Sequence, residues 1–515
     1  MTGRDELAQT LAEIMTSRDL KSLVSVLPGA SVKGESGVEI GGLSHDSRRV
    51  KRGDLFFCLR GLKSDGHAHV PGALKSGAAA VVAEEPVETG SSPLVLVKDT
   101  REAMARVSAA FYGFPSRSLK VLGVTGTNGK TTTSYMVAAA LERAGMKAGV
   151  LGTLGYAGPG FKQTGAHTTP EAPTFQRLLR TMADEGASCV AAEISSHALA
   201  LKRAAATFFE AALFTNLSRD HLDFHGSLEA YREAKLDLFR SGGLWEAGSP
   251  RWAVLNADDP NWEYFAKASS APVVTYGTGE GADVRGTDVA LDPEGASFRL
   301  KYKDGVFPVR VNISGLFNVH NALAAAAAAF VLGCDERAMA SGIESVKRVP
   351  GRMERIECGQ DFRVTVDYAH TPDALSNVLS ALRSITPGKL ICVFGCGGDR
   401  DRGKRPVMGA SVADRSDFVI VTSDNPRSED PALIMRQIVR GIEAEGLVNF
   451  KTISDRAEAI DAGLRMATSG DTVLIAGKGH EDYQILGDKR VHFDDREVAR
   501  DVLNRMGYDC GPTGS

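Results

Sequence analysis

Short runs of apolar residues punctuate this chain at regular intervals, separated by stretches whose apolar positions recur at helical spacing. Val121-Leu-Gly-Val124, Cys189-Val-Ala-Ala192, Ala211-Ala-Leu-Phe214 and Trp252-Ala-Val-Leu255 form one group. Phe362-Arg-Val-Thr-Val366, Leu390-Ile-Cys-Val-Phe394, Phe418-Val-Ile-Val421 and Thr472-Val-Leu-Ile-Ala476 form another. The alternation of strand and helix predicts parallel sheets covered by helices. Residues 73–83 read as a small-residue helix running into an apolar strand, and the alanine-rich residues 322–329 as a tightly packed helix. In the later group each strand ends in polar or glycine residues, and in open α/β sheets ligands gather at the carboxyl ends of strands.

The texture divides the chain at residues 1–110, 111–347 and 348–515, the last break falling at the turn-rich Val349-Pro-Gly-Arg352. A length of 515 residues fits about three domains. With 43% hydrophobic and 24% charged residues the chain reads as a soluble globular protein, and a net charge of −4 gives no basic field to draw in nucleic acid. No apolar run is long enough for membrane insertion, and residues 1–7 lack the apolar stretch of a signal peptide, so a cytoplasmic location is expected. The seven cysteines are scattered without metal-ligand spacing, which favours reduced thiols. The tail Cys510-Gly-Pro-Thr-Gly-Ser515 is expected to fray.

The first chemistry lies at Gly126-Thr-Asn-Gly-Lys-Thr-Thr132, entered from a strand and leading into a helix near Thr131. Small residues admit an anion to backbone N–H groups, and the helix N-terminus adds partial positive charge. Lys130 is placed for the outer phosphates of a nucleoside triphosphate and Thr131 for Mg²⁺. The loop departs from the common spacing, since Val124 stands where the first glycine usually falls. The fold expected is thus α/β with a small N-terminal α/β domain, a central P-loop parallel-sheet ATPase domain and a C-terminal Rossmann-like domain.

Further polar groups collect at strand ends. Glu193 follows one apolar strand and is placed for Mg²⁺, with Ser195, Ser196 and His197 next to it. Asn216, Asp220 and His221 follow another. Lys235 sits in a helical pattern and on its own reads as a surface lysine. In the last third, Asp367-Tyr-Ala-His370, Gly395-Cys-Gly-Gly-Asp-Arg400, Asp424-Asn-Pro-Arg427 and Gly477-Lys-Gly-His-Glu481 end four strands. Arg400, Arg427, Asp424 and Glu481 in one crevice suit a zwitterion such as an amino acid, because arginine forks bind carboxylates bidentately.

These motifs, with Glu193-Ile-Ser-Ser-His197, Thr215-Asn-Leu-Ser-Arg-Asp-His221, Asn318-Val-His-Asn321 and Gly351-Arg-Met-Glu354, resemble in order those of the Mur ligases of peptidoglycan precursor synthesis. The resemblance covers nearly the whole chain. Asp424-Asn-Pro-Arg427 is similar to the pattern of the members that add meso-diaminopimelate. The resemblance implies an ATP-dependent ligase joining that amino acid to the D-glutamate of UDP-N-acetylmuramoyl-L-alanyl-D-glutamate through an acyl phosphate, working as a monomer. It implies ATP at Gly126, Thr127, Asn128, Gly129, Lys130, Thr131 and Thr132 with Asn216, Asn318, Arg352 and Asp367 nearby, and Mg²⁺ at Thr131, Glu193, His221 and a carbamylated Lys235. Lys130, Lys235, His221 and Arg352 would serve catalysis. Ser47, Thr168, Thr169, Ser195 and Arg203 would hold the nucleotide-linked dipeptide, with Leu201 standing where the family often has glutamine. Arg400, Asp424, Asn425, Pro426, Arg427, Gly477 and Glu481 would hold diaminopimelate. Two other outcomes stay open: the same chemistry with lysine or another acceptor, and a P-loop ATPase acting as a conformational switch.

Overall fold

The computed structural model describes residues 18–61, 64–165, 167–240 and 250–511; residues 1–7 and 512–515, on which expectations about a signal peptide and a fraying tail were placed, lie outside them. Three main sheets follow one another along the chain. In the first, of five strands, Ser31–Lys33 lies antiparallel at one edge beside Leu94–Leu96, and Ala80–Ala83, Asp54–Phe57 and Gly42–Ser44 continue in parallel. Helix Thr100–Phe111, capped by the Asp99 carboxylate, places Met104 and Val107 in one core with Leu55, Phe57 and Val82.

The central sheet has eleven strands. Its parallel middle runs in space from Ala148–Gly152 through Cys189–Glu193, Lys120–Thr125, Ala211–Phe214, Trp252–Asn256 and Val273–Gly277 to Val284–Asp292. Lys120–Thr125, first in sequence, lies inside the sheet, and the chain then builds outward on both sides of it. Its carboxyl end is therefore a topological switch point, where a crevice opens between loops that leave in opposite directions. The sheet is mixed rather than purely parallel. Gly295–Tyr302 and Gly305–Val311 extend one edge antiparallel, and Gly155–Gly158 and Phe161–Gln163 the other. Buried and exposed residues alternate along much of Gly295–Tyr302, the pattern of a strand wet on one face.

Helix Leu316–Leu332 crosses one face of this sheet with residues 322–329 all buried. Small side chains let the neighbouring helices approach closely. Where helix Glu336–Ser345 meets helix Lys130–Arg143, a Cβ on Gly342 would collide with the backbone of Ala140. Lys120 Nζ donates to the Leu332 carbonyl at 2.9 Å, a cation at a helix C-terminus.

The third sheet has six strands in the order Glu354–Arg355, Arg363–Asp367, Thr472–Ala476, Leu390–Phe394, Phe418–Val421, Phe450–Thr452, all parallel except the first. Four adjacent strands thus deliver residues 367–370, 477–481, 395–400 and 424–427 to one edge. One expectation fails here: Cys358 and Cys510 form a disulfide across 152 residues of chain, while Cys58, Cys189, Cys334, Cys392 and Cys396 are free and buried. Cys358 follows the edge strand, and helix Asp495–Arg505 packs into the same core, which brings the tail alongside it. Cys510 is therefore tied down rather than frayed.

Candidate active site

The glycine-rich loop closes on itself in a way its sequence demands. Gly126 (φ +145°) and Gly129 (φ +85°) adopt backbone conformations that L side chains rarely take, and a Cβ at either would strike Thr215 Oγ1 or Asn321 Oδ1. Asn216 holds the turn from below, accepting from Asn128 N at 2.9 Å and donating to Asn128 O at 3.1 Å. Lys130 folds back onto the carbonyls of Gly126 (2.9 Å) and Thr127 (2.8 Å), and burial pushes its ammonium pKa down against the pull of Glu193. A phosphate in the cradle would offer that ammonium a stronger acceptor than two neutral carbonyls.

Glu193 is fully buried at the end of its strand. Its carboxylate accepts from Thr131 Oγ1 (3.0 Å), Thr153 Oγ1 (2.9 Å) and Thr153 N (2.9 Å). Lys235 is not the surface lysine its helix suggested. It is 1% exposed, donates to the Gly126 carbonyl at 2.8 Å and lies 4.3 Å from the Tyr231 ring centre. Burial, then the charge of Lys130, hold its pKa well below the ordinary lysine value, against the pull of Asp220. His221, at a left-handed φ of +55°, packs edge-on against His197; burial pulls its pKa to about 3, so the imidazole is neutral.

The third sheet's loops lean directly on this loop. Arg352 Nη2 donates to Thr131 Oγ1 at 3.2 Å, and its guanidinium stacks 4.5 Å from the Tyr368 ring. Asn128 Nδ2 reaches Asp373 at 3.1 Å, Arg219 pairs with Asp401 at 3.3 Å, and Lys404 lies 3.5 Å from Asp220. A cavity of about 740 Å³ lies between, lined among others by Lys130, Glu193, Asn318, Asp258, Phe317 and Asp373. Asp367 borders it but spends its carboxylate on the backbone of Met353 (2.6 Å) and Ala369 (2.7 Å), bracing the joint. Asn318 donates to Ser314 O and accepts from Asn321.

Arg400, Asp424, Asn425, Pro426, Arg427, Gly477 and Glu481 come together outside that cavity, at the neighbouring strand ends. Among the described residues Arg400 and Arg427 meet no carboxylate at ion-pair distance. They donate to backbone carbonyls of Asp399 (2.9 Å) and Gly398 (2.8 Å). Burial, then the nearby Arg400 charge, push the Arg427 pKa down. Asp424 is buried, and its Oδ2 lies 2.9 Å from where a Gly477 Cβ would stand. Glu481 is held by Asn425 (2.9 Å) and Lys478 (3.1 Å). Among the described residues, two cations without acidic partners thus lie beside two carboxylates, Asp424 and Glu481.

Thr169 Oγ1 accepts from Ser195 N at 3.1 Å, and Thr168 Oγ1 meets Thr153 Oγ1 at 3.1 Å. Thr169 Oγ1 donates to Glu193 O at 2.8 Å, and Ser195 caps helix Ser196–Ala200. Arg203 donates to Thr169 O at 3.2 Å and pairs with Glu171 at 2.9 Å. Ser47 opens a one-turn helix behind the Asp46 cap, and burial pulls the pKa of nearby His45 down against the charge of Glu171. Three partners carried no motif: Thr153, Asp373 and Lys404; Lys478 lay within Gly477-Lys-Gly-His-Glu481 but was given no role of its own. Thr153 alone had a signal, its position just past an apolar strand.

The architecture and the phosphate loop together define a nucleotide-dependent ligase, and three family models cover the chain: "Mur ligase family, catalytic domain" at residues 39–112, "Mur ligase middle domain" at 124–329 and "Mur ligase, glutamate ligase domain" at 351–479. The chain belongs to the Mur ligase family. It is 47% identical over 467 residues to the UDP-N-acetylmuramoyl-L-alanyl-D-glutamate–2,6-diaminopimelate ligase of Syntrophomonas wolfei, covering 90% of this chain and 95% of that one. To the protein of the same name from Geobacillus kaustophilus it is 45% identical over 489 residues, 95% and 100% of the two chains. A solved structure of a ligase of that name superposes with a TM-score of 0.66 at 36% identity, over 94% of this chain and 99% of that one.

Proposed function

We propose that this protein is an ATP-dependent amide ligase that adds meso-2,6-diaminopimelate to the D-glutamate of UDP-N-acetylmuramoyl-L-alanyl-D-glutamate, in the cytoplasm and as a monomer. The working units are residues 1–110 for the uridine end, 111–347 for ATP and 348–515 for the amino acid. The observation that carries the acceptor is the pair Arg400 and Arg427, unpaired beside Asp424: diaminopimelate brings a carboxylate at its far end that lysine lacks. The names of the relatives support the same acceptor.

A carboxylate is a poor electrophile. Transfer of the γ-phosphoryl group to the D-glutamate side chain gives ADP and an acyl phosphate; the incoming amine attacks its carbonyl carbon, and phosphate leaves. Lys130, released from the carbonyls of Gly126 and Thr127, and Arg352, reaching in from the third unit, neutralise charge on the phosphoryl oxygens. Thr168, Thr169, Ser195 and Arg203 line the side from which the D-glutamate approaches, and Ser47 stands at the uridine end. His370 donates through Nδ1 to Tyr368 O at 2.7 Å, and its Nε2 lies 3.8 Å from the Asp220 carboxylate, which would stabilise an imidazolium; it is a candidate to take the amine proton. The contacts of Arg352, Asp373 and Asp401 across the crevice bring the two halves together and exclude water from the acyl phosphate.

The donor set suits Mg²⁺: Glu193 is a buried carboxylate facing hydroxyls, with Thr131 and the neutral His221 nearby. Bound there, the ion would offset charge on the transferred phosphoryl group. Lys235 suits carbamylation, because CO₂ adds to the neutral amine, burial disfavours the ammonium, and among the described residues no carboxylate pairs with it. Phosphate release with the UDP-linked dipeptide, compared across meso-diaminopimelate, lysine and no amino acid, tests the assignment. Turnover with lysine alone would sink the acceptor, and acceptor-independent turnover would favour the switch.

A further inference from the structure

Arg405 and Arg456 head the fully buried side chains of the molecule, and neither lines the crevice. Arg456 opens helix Arg456–Met466, and Asp495 opens helix Asp495–Arg505. Both are 0% exposed, and the guanidinium meets the carboxylate side-on, Nε to Oδ1 and Nη2 to Oδ2, each at 2.7 Å. That fork leaves donors pointing the other way. Nη2 reaches the carbonyl of Ala476 at 3.0 Å, and Nη1 that of Ser423 at 3.3 Å.

Those two carbonyls belong to the residues immediately before Gly477 and Asp424. One planar cation therefore bridges, from beneath, the ends of two strands whose loops form opposite walls of the amino-acid pocket. The walls touch where Asp424 Oδ2 packs against Gly477, a residue held at φ +115°. Phe418–Val421 and Thr472–Ala476 are not hydrogen-bonded to each other, since Leu390–Phe394 lies between them. Val421 and Ala476 both stand opposite Phe394 of that middle strand; past this register no ladder ties Ser423 to Ala476, and Arg456 spans that gap. Arg405 braces a third wall in the same manner, donating to Gly397 O at 3.1 Å while paired with Glu429.

We propose that Arg456, oriented by Asp495, is a positioning residue of the acceptor site, fixing the separation of Asp424 and Gly477 and through it the affinity for the amino acid. The proposal rests on the acceptor-site reading above. Displacements of about 1 Å in a site of this kind cost on the order of a hundredfold in rate or binding.

The test compares wild type, Arg456→Lys, and the double variant Arg456→Met with Asp495→Leu. It measures KM separately for meso-diaminopimelate, ATP and the UDP-linked dipeptide, with kcat and the melting temperature. Lysine keeps the charge but loses the fork. The apolar pair removes both carbonyl contacts without leaving a buried charge, an exchange that is often neutral or stabilising. The expected result is a rise of about tenfold or more in KM for diaminopimelate in both variants, with KM for ATP within about twofold of wild type. A folded double variant with unchanged KM for the amino acid overturns the proposal, as does a parallel rise in all three KM values. Should the double variant fail to fold, Arg456→Lys decides on the same readout. If wild type uses lysine instead, the acceptor assignment fails on its own, and the positioning role is judged on the KM for lysine.

Discussion

Lys235→Met separates what the buried lysine costs the fold from what it gives the reaction. Methionine fills the volume of the lysine stem without its amine. In the wild-type protein each pH unit by which burial holds this amine below its ordinary value of 10.5 costs the folded state about 1.4 kcal/mol at neutral pH. Against this stands one hydrogen bond, to the Gly126 carbonyl, of about 1 kcal/mol. The amine is held well below its usual value, so the first quantity exceeds the second and the variant should be more stable. At roughly 2–4 °C per kcal/mol for a domain of this size, its unfolding should shift upward by several degrees in CO₂-depleted buffer. The sign with pH also follows. The unfolded lysine keeps its proton to higher pH than the folded one, so wild-type stability climbs as pH rises toward 10.5 and the advantage of the variant shrinks. Phosphate release should fall by about a hundredfold or more, the effect of losing several kcal/mol of charge stabilisation at the phosphoryl group. Melting curves from pH 6 to 10 together with a turnover assay read both effects. A lower melting temperature for the variant at neutral pH would refute the claim of a costly buried amine; unchanged turnover would refute its part in the reaction.

Gly126→Ala places a Cβ against Thr215 Oγ1 at φ +145°, and should abolish nucleotide binding in a calorimetric titration with ATP while costing about 1–3 kcal/mol of stability. Arg427→Lys should raise KM for diaminopimelate by about tenfold or more and leave KM for ATP unchanged, since it loses a charge-assisted fork of about 1.5–3 kcal/mol; steady-state kinetics decide it. Thiol titration of the denatured, unreduced protein should find five reactive cysteines, and seven after reduction; seven without reductant would remove the Cys358–Cys510 bond. The Arg405 guanidinium holds the Glu429 carboxyl at about 2, so Glu429 supports the fold above its ordinary 4.5 and loses that contribution as pH falls toward 2. Glu429→Gln should flatten that acid limb in melting curves.

Continuous apolar runs were legible almost to the residue. Ala211–Phe214, Leu390–Phe394, Phe418–Val421 and Thr472–Ala476 stand where four such runs end. The half-wet strands Gly295–Tyr302 and Gly305–Val311 escaped, because charged and apolar residues alternate in them and no continuous run marks them. The phosphate loop was readable because its glycines answer a backbone demand that no other residue meets. Lys235 was misjudged from its helix alone, since its burial comes from a loop more than a hundred residues earlier folding over it. The Cys358–Cys510 bond, Asp373 against Asn128, and Arg456 beneath two strand ends depend on distant chain segments meeting. A single sequence carries no trace of such meetings when the residues involved belong to no motif.

Among the described residues Arg427 is one of nine non-glycines with positive φ, at +52°, and its backbone is stitched to a separate hairpin: its N–H donates to Ile485 O at 3.1 Å and its carbonyl accepts from Gly487 N at 2.9 Å. If Arg427 holds the acceptor as proposed, acceptor choice is written into a left-handed turn and a borrowed strand as much as into a guanidinium. An attempt to re-engineer the enzyme for a different amino acid by exchanging this one side chain would inherit a backbone shaped for its predecessor. The transferable module is the tetrapeptide together with Tyr483–Leu486 and Lys489–His492, and drift in a hairpin remote from ATP could redirect what is joined while leaving the phosphoryl chemistry intact.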